Sequence, residues 1–513
     1  MSGGSLQPGW ARWLAPGAIA AGAIATYLSV LAVPYAFEDD YWNLGFFHGL
    51  GGVNVWKYSV QDGRPIHALL LLAAFSAVPD IDSLRVLRLV GLAGVVLLGL
   101  MLSYALRRAG TGRWLSAGVA TSVICLPSFQ VYVSWATLFE APYAAMLGGT
   151  AALLVSSAFG RERRAALVRQ GAAATVLLCA LLIYQPCAMF FWVFAAIDLL
   201  RPRERLSRAL KRCASYMGVA IVALMGGYFA VRVGVHFYGY LGNGRSTVVR
   251  DIGRKLGWFW NQPLLNALNL FKLVPRWWLA AAVATVAGGG ILLLHARKRW
   301  EALGFLGIAA GLVPLAYLPN LVIAEEWASY RSLGALSALV AVYLWLGLWG
   351  IGRTAVQLCA RSDSRSLALR AAGLAISLAI VVTAVILGAR NVTTLFAETQ
   401  NAELKMVRST LESPSSPPHR VVFIKPSLEG AAPFHRYDEF GYPSSYAPWV
   451  PVPAVLLILR ERHLPFPAAI DVLAWDQVGA QMPHKPGTLV VDMRKLREHQ
   501  VNWTFFTLHG AKS

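Results

Sequence analysis

Long apolar runs separated by short polar gaps dominate most of this chain. A helix that crosses a bilayer needs about 20 predominantly apolar residues, within a range of roughly 17–25. The pattern predicts about eleven transmembrane helices and therefore an all-α polytopic membrane protein. The predicted spans cover residues 17–36, 84–106, 114–128, 138–159, 171–184, 186–200, 214–235, 277–295, 302–319, 332–350 and 371–389.

Three segments depart from the simple spanning pattern. The run His67–Val78 is apolar but short, and we predict an interfacial helix on the outer leaflet. Residues 171–184 and 186–200 meet at the sequence IYQPC, where a proline interrupts helical hydrogen bonding; we predict a tight hairpin of short helices. The basic and aromatic segment after Tyr238 predicts an external amphipathic helix.

The distribution of charge fixes the expected orientation. Hydrophobic residues make up 57% of the chain and charged residues only 14%, against about 25% in soluble domains. The formal net charge of +20 comes largely from basic clusters in short gaps between apolar runs. Such gaps are cytoplasmic by the positive-inside rule. We therefore expect membrane lipids as partners, no nucleic acid, and a cytoplasmic N-terminus whose first apolar run is a retained helix.

The character of the sequence changes after Arg390. The remaining residues are polar and rich in proline, with strand-like runs such as RVVFIKP and GTLVVDM. We predict a transmembrane domain at residues 1–389, with external loops 37–83 and 236–276. A small extracytoplasmic α/β domain is predicted at residues 390–513.

Unusual charged residues collect on the predicted outer face. The first external loop begins with three consecutive carboxylates, and like charges so close together raise their free energy unless a cation or water compensates. Further acids and arginines follow near the ends of later spans and in the C-terminal region. The residues are Glu38, Asp39, Asp40, Asp62, Arg64, Glu325, Glu326, Arg331, Tyr437, Asp438 and Glu439. Solvated acids and arginines that reach lipid headgroups are the alternative interpretation for several of them.

Four motifs in this order carry a family resemblance: FEDDYW, DGRPIHALLL, IYQP and RYDEFGYPSS. They resemble the GT-C class of membrane glycosyltransferases and, more narrowly, the glucosyltransferase family that modifies bacterial O-antigen. The resemblance implies a multi-pass enzyme of the bacterial inner membrane with its C-terminal domain in the periplasm. It also implies transfer of a single sugar, most often glucosyl, from a polyprenyl-phosphate donor to a glycan such as the O-antigen of lipopolysaccharide.

The implied chemistry assigns roles to these residues. A carboxylate takes the acceptor proton as general base, and a single base with direct displacement inverts the anomeric centre. Asp40 is slightly preferred to Asp39 as that base, with Glu38 beside them. The sequence has no clear DxD triplet, so a divalent cation (Mg²⁺ or Mn²⁺) at Asp39 and Asp40 stays an open alternative.

Two further sets of residues complete the predicted site. Arginine holds phosphate through a bidentate fork, which predicts a donor-phosphate site made from a group of cationic residues. That group is Arg64, Arg331, Arg254, Lys255 and Arg276. The expected substrate-binding residues are Asp62, Glu325, Glu326, Tyr437, Asp438 and Glu439.

Other functions remain open on the sequence alone. A transporter or flippase of lipid-linked sugars would place ionisable residues near the middle of the spans, whereas here the charges gather at the span ends. A membrane scaffold whose external domain binds a partner would leave the acidic loop unexplained. Within the enzyme interpretation, an O-antigen ligase is the rival to a single-sugar transferase.

Overall fold

A computed structural model gives the fold of the chain. It describes residues 12–51, 54–202, 204–240, 245, 247–296, 298–359, 363–414, 417–427, 438–477 and 486–496. Most of these residues are helical, and a small sheet lies near the C-terminus.

The helices fall into a long and a short group. The long helices are Leu14–Ala32, Leu84–Arg108, Ala141–Ala158, Arg163–Ile183, Leu206–Tyr238, Trp277–Leu294, Arg299–Leu315, Gly334–Leu358 and Asp363–Val392. The shorter ones are Asp39–Phe47, Val55–Gln61, Pro65–Ser76, Arg113–Ile124, Pro127–Ser134, Gln185–Ala188, Phe190–Leu199, Ile252–Phe259, Leu265–Leu268, Leu318–Val322, Glu398–Glu412 and Pro451–Glu461. Two π-helical turns, Trp260–Leu264 and Thr393–Ala397, join neighbouring helices.

The number of candidate spans is lower than the sequence pattern predicts. Within the described ranges, 8 helices are long and apolar enough to cross a membrane, or up to 9 if one bent pair counts as a single span. Each of the eleven predicted segments is largely helical. The apolar helical segment Gln185–Leu199 is short for a span, however, and the Arg299–Leu315 helix has only 17 residues. The prediction of about eleven spans is therefore not confirmed.

Prolines account for the broken helices. The Arg113–Ile124 and Pro127–Ser134 helices meet at an angle of 62°, because Pro127 has no N–H to continue the hydrogen-bond ladder. A second break at Tyr184 precedes Pro186, as the sequence predicts, although the helix before the break has 21 residues rather than being short.

The C-terminal sheet has three parallel strands, which are β1 at Arg420–Ile424, β2 at Ala469–Leu473 and β3 at Thr488–Asp492. Their order in the sheet is β2-β1-β3, with Arg420 opposite both Ala469 and Thr488. Two of these strands are the strand-like runs identified in the sequence, and β2 was not identified. The helix that contains residue 390 continues through a π-helical turn to Glu412, and the division into two domains stays a prediction.

Two apolar cores hold these parts together. The larger lies among the long helices. The smaller joins the short helices of the first loop to the C-terminal region, where Phe75 and Leu44 share a cluster with Phe423 and Val455. The C-terminal region is therefore packed on the loop that carries the three consecutive carboxylates.

The Leu206–Tyr238 helix makes a close contact with the Val55–Gln61 helix of the first loop. A Cβ atom at Gly234 would lie 2.0 Å from the carbonyl oxygen of Val60, so only glycine permits this approach. The Leu206–Tyr238 helix can then lie against Val55–Gln61, where Gln61 Nε2 donates to the carbonyl oxygen of Tyr238 at 2.8 Å. The first loop and the Leu206–Tyr238 helix thus form one continuous surface.

Candidate functional site

A cavity of about 1360 Å³ lies where the first loop, the segment around residues 318–332 and the C-terminal region meet. Charged and polar side chains line one part of it and apolar side chains another. The polar lining includes Glu38, Asp39, Asn43, Tyr58, Asp62, Arg64, His67, Gln185, Arg232, Arg245, Glu325, Arg331, Asp438, Glu439 and Tyr442. By chain connectivity, the basic turns after Arg108, Ala158 and Leu294 lie at the opposite ends of their helices.

The start of a short helix separates the three consecutive carboxylates. Glu38 precedes the Asp39–Phe47 helix with a φ of 39°, a conformation that costs free energy for a residue with a side chain. Successive helical residues point about 100° apart, so Asp39 and Asp40 cannot face the same way. Glu38 and Asp39 line the cavity, whereas Asp40 is fully buried and is absent from its lining.

Asp40 is held by protein donors. Its Oδ1 accepts from the backbone N–H and the hydroxyl of Thr137 at 2.8 and 2.7 Å, and its Oδ2 accepts from the N–H of Phe37 at 3.0 Å. Arg88 lies 3.7 Å from Oδ2, and both side chains are fully buried. Burial raises the pKa of Asp40 to about 6, while Arg88 and the donated hydrogen bonds oppose that rise. This carboxylate anchors the loop.

The two cavity carboxylates lie in a strongly charged environment. Burial raises the pKa of Glu38 to about 8, and the neighbouring Asp39 adds to the rise. Burial also raises the pKa of Asp39, but Arg331, Arg245, Arg64 and His67 lower it by their positive charge. Near neutral pH, Glu38 therefore holds a proton.

This proton gives a prediction about stability. The folded protein holds the Glu38 proton up to about pH 8, whereas the ordinary glutamate value is 4.5. The resulting stabilisation is complete below about pH 4.5 and is lost as the pH rises through about 8. Glu38→Gln, which mimics the protonated form, should unfold at a higher temperature than the wild type at pH 9 and at a similar temperature at pH 5. Thermal unfolding across this range checks it, with Glu162→Gln on an exposed turn as control; an equal difference at both pH values would contradict it.

Three of the four arginines that line the cavity are in paired arrangements. Arg64 forms an ion pair with Asp62, and Arg245 Nε donates to Glu325 Oε1 at 2.8 Å. The Arg331 guanidinium lies over the ring of Trp135 at 4.8 Å and that of Trp327 at 4.6 Å, with Nε 3.5 Å from Glu439 Oε1. Stacking fixes the plane of a guanidinium and leaves its edge available to a ligand.

The C-terminal region contributes two acids through the motif RYDEFGYPSS. Asp438 accepts from the indole N–H of Trp327 at 3.0 Å and from the N–H of Tyr330 at 2.9 Å. Glu439 is 4% exposed, and neither of its carboxylate oxygens has a hydrogen-bond partner among the described residues. Burial and the adjacent Asp438 raise the pKa of Glu439 well above its ordinary value. Tyr437, which the sequence places in the same motif, lies outside the described residues.

The rest of this motif fixes the position of the acids. The N–H of Ser444 donates to Glu403 Oε2 at 2.7 Å, and the N–H of Glu38 donates to Ser444 Oγ at 3.0 Å. Gly441, with a φ of 76°, donates its N–H to the carbonyl oxygen of Leu395 in the π-helical turn at 3.0 Å. The motif therefore ties the first loop to the long C-terminal helix.

Several residues expected at the site lie outside the cavity lining. Arg254 is paired with Glu326 at 2.9 Å, and Lys255 is buried with its Nζ 2.5 Å from the carbonyl oxygen of Glu325. Arg276 is exposed and is also absent from the lining. These residues belong to a neighbouring segment, so the geometry does not favour a direct contact with a ligand in this cavity.

Sequence reasoning missed other lining residues, notably Arg245, Trp327, His67, Tyr58 and Tyr442. Arg245 lies in the basic and aromatic segment that the sequence singled out only as a helix. An isolated histidine such as His67 carries no sequence signal, because its meaning depends on a partner 73 residues away.

Whether the site can hold a metal ion depends on which side chains could coordinate it. Among the described residues, no group of three or more His, Cys, Asp or Glu side chains is arranged to hold a metal ion. Asp40 could bind a cation only by giving up its protein donors. A divalent cation at Asp39 and Asp40 stays a prediction.

Comparison with known proteins gives a distant structural likeness. No protein-family model and no curated protein matches the chain. The Archaeoglobus fulgidus oligosaccharyltransferase tethered with an acceptor peptide that contains the NVT sequon has a TM-score of 0.46 at 13% identity, over 92% of this chain and 65% of that one. The archaeal oligosaccharyltransferase AglB from Archaeoglobus fulgidus, in complex with an inhibitory peptide and a dolichol-phosphate, has a TM-score of 0.45 at 14% identity, over 82% and 63%. This chain thus spans less than two thirds of their length, and the likeness establishes neither a family nor an activity.

Proposed function

We propose that this protein is a membrane glycosyltransferase that moves one sugar from a polyprenyl-phosphate donor to a glycan acceptor. The observation that carries the proposal is the composition of a single cavity. It combines a carboxylate facing the interior, three paired or stacked arginines and an apolar wall along a membrane helix. An acid, phosphate-binding cations and a lipid-facing wall are the parts that this reaction needs.

Asp39 is the general base in this proposal. The acceptor hydroxyl must lose a proton as its oxygen attacks the anomeric carbon, and a positioned carboxylate accepts it. Asp39 lines the cavity, whereas both oxygens of Asp40 accept hydrogen bonds from the protein. This geometry supports Asp39 as the base, although the sequence slightly favoured Asp40. Direct displacement with one base inverts the anomeric centre.

Arg331, Arg64 and Arg245 are the candidate ligands for the donor phosphate. The leaving phosphate gains negative charge in the transition state, and preorganised cations stabilise that charge. All three arginines line the cavity, and each acts on the Asp39 carboxyl by its charge. The base and the phosphate ligands therefore share one cavity, in which direct displacement requires the base and the phosphate on opposite faces of the anomeric carbon.

The apolar wall suits a polyprenyl chain. It follows the Leu206–Tyr238 helix from Ile221 to Phe229, about 12 Å at ~1.5 Å per residue. Met225 is 67% exposed and lines this wall. Leu318 and Val322 line the cavity from another helix. A hydrocarbon chain lying between these elements would keep its phosphate at the polar end.

The wall gives a test based on donor length. Met225→Gln should lower kcat/KM for a long-chain donor by about tenfold, because burial of a methionine contributes roughly 1.5–3 kcal/mol and 1.4 kcal/mol is tenfold. A water-soluble short-chain donor should be unaffected. Val222→Gln is the matched control, since Val222 is 60% exposed on the same helix but does not line the cavity. Equal losses for both donors, or for both variants, would contradict the assignment.

The acceptor and the sugar are the finer part of the proposal. Trp42 and Trp449 line the cavity, and their ring centroids are 6.3 Å apart. Aromatic faces of this kind suit the apolar faces of sugar rings. The resemblance to O-antigen-modifying enzymes supports a glucosyl group, a lipopolysaccharide acceptor and a site on the periplasmic side of the inner membrane. Basic turns at the opposite helix ends support that orientation.

The test of the proposal is transfer by the purified protein in detergent. Polyprenyl-phosphate sugars and nucleotide sugars are offered in parallel with lipopolysaccharide acceptors, with and without EDTA. We expect transfer from the lipid-phosphate donors alone. Transfer only from nucleotide sugars, or from no donor, would overturn the proposal, and the EDTA samples report whether a cation takes part.

A further inference from the structure

A histidine–carboxylate pair lies in the wall of the cavity. His67 Nδ1 is 2.8 Å from Glu140 Oε1, and the two residues are only 6% and 1% exposed. An ionised carboxylate can only accept, so Nδ1 carries the hydrogen and Nε2 is left as the basic nitrogen. A carboxylate in this position orients an imidazole and stabilises its protonated form.

The histidine of this pair shares the cavity with the proposed base and the proposed phosphate ligands. His67 lines the cavity together with Asp39 and Arg64. Arg64 precedes the Pro65–Ser76 helix, and His67 follows it by three residues, so both lie on one side of the helix start. Arg64, Arg245 and Arg331 act on the Asp39 carboxyl by their charge, and His67 does so when it is protonated.

Glu140 is fixed by the protein backbone. It precedes the Ala141–Ala158 helix, where its carbonyl oxygen accepts from the N–H groups of Tyr143 and Ala144 at 3.0 and 3.1 Å. Its Oε2 has no hydrogen-bond partner among the described residues. A buried carboxylate of this kind is costly unless a cation compensates it, so Glu140 favours the imidazolium that forms when His67 takes up a proton.

We propose that His67, oriented by Glu140, relays the acceptor proton from Asp39 to the departing phosphate. The proposal rests on the proposed transferase function. In the first step, Asp39 takes the hydroxyl proton while the acceptor oxygen bonds to the anomeric carbon and the bond to the phosphate oxygen breaks. Asp39 then gives this proton to His67 Nε2. The imidazolium delivers it to a phosphate oxygen, which leaves both side chains in their starting states.

Removal of the imidazole should slow turnover in a way that added imidazole reverses. His67→Ala is expected to lower kcat by about 100-fold, the lower end of what a positioned acid–base group contributes. The KM for the donor should change little, because Arg64, Arg245 and Arg331 remain. Free imidazole, which can occupy the space beside Glu140, should restore at least a tenth of the wild-type rate. A structural role of His67 would not produce this rescue.

Two further variants keep the test decisive. His67→Gln retains a polar side chain beside Glu140 without a titratable nitrogen, so it should fold like the wild type, remain slow and gain nothing from imidazole. His236→Ala is the matched control, because His236 is exposed and does not line the cavity; its rate should equal that of the wild type.

The outcomes separate the relay from the transferase function. A wild-type rate in His67→Gln, or a slow His67→Ala that imidazole does not accelerate, would overturn the relay while the function stands. If the wild type itself transfers no sugar, the proposed function fails, and the relay fails with it.

Discussion

Asp39→Asn is expected to abolish sugar transfer, lowering kcat by about 10³-fold, which is within the range for loss of a general base. The amide cannot accept the acceptor proton, yet it has nearly the same shape as the carboxylate. Burial raises the pKa of Asp39, so removal of its charge should not lower the thermal unfolding temperature. Steady-state transfer assays and thermal unfolding in detergent check both parts.

Variants of two other aspartates, Asp40 and Asp476, make this test specific. Asp40→Asn removes the charge that faces Arg88 and leaves one of the Thr137 or Phe37 donors poorly paired. It should therefore lower the free energy of unfolding by about 1–3 kcal/mol. Asp476→Asn, at an exposed position that does not line the cavity, should change neither property. An active Asp39→Asn variant would show that Asp39 is not the base.

Arg331→Met is expected to lower kcat/KM for the lipid-phosphate donor by about 10²–10³-fold, as for other groups that stabilise charge in a transition state. Arg331 is stacked between Trp135 and Trp327 and is directed into the cavity beside Glu439. Arg331→Lys keeps the charge but loses the planar fork, so it should recover only part of the activity. Transfer kinetics at varied donor concentration provide the measurement.

The basic residues outside the cavity provide the control for Arg331. Arg276→Met should leave the transfer kinetics unchanged, because Arg276 is exposed and does not line the cavity. Equal losses in the Arg331 and Arg276 variants would indicate general attraction of the anionic donor by surface charge rather than a phosphate site. In that case the assignment of Arg331 would be wrong.

The sequence predicts the helical architecture and two of the three strands because hydropathy is a local signal. It cannot give the length of a helix where a proline breaks the pattern, as at Tyr184, or where an apolar run is short. The strand Ala469–Leu473 was missed because its identity depends on pairing with β1.

The candidate site could also be predicted only in part from the sequence. The acidic motif could be recognised in the sequence, but the roles of Asp39 and Asp40 could not be separated, since their directions depend on where the helix begins. Arg245 and His67 become candidates only when Glu325 and Glu140 are seen beside them. The sequence favoured Arg331 but also kept Arg254 and Arg276 among the candidate phosphate ligands, because distance from the cavity has no sequence signal.

We propose that the cavity catalyses transfer of a sugar from a lipid phosphate. The most direct test uses proteoliposomes that contain the purified protein, a labelled polyprenyl-phosphate sugar and an external glycan acceptor. Label in the glycan and movement of the intact donor between leaflets are measured in the same sample, for the wild type and for Asp39→Asn. A transferase of this kind gives labelled glycan with the wild type and none with Asp39→Asn. Movement of intact donor between leaflets with no labelled glycan would contradict it and would identify a transporter of lipid-linked sugars instead.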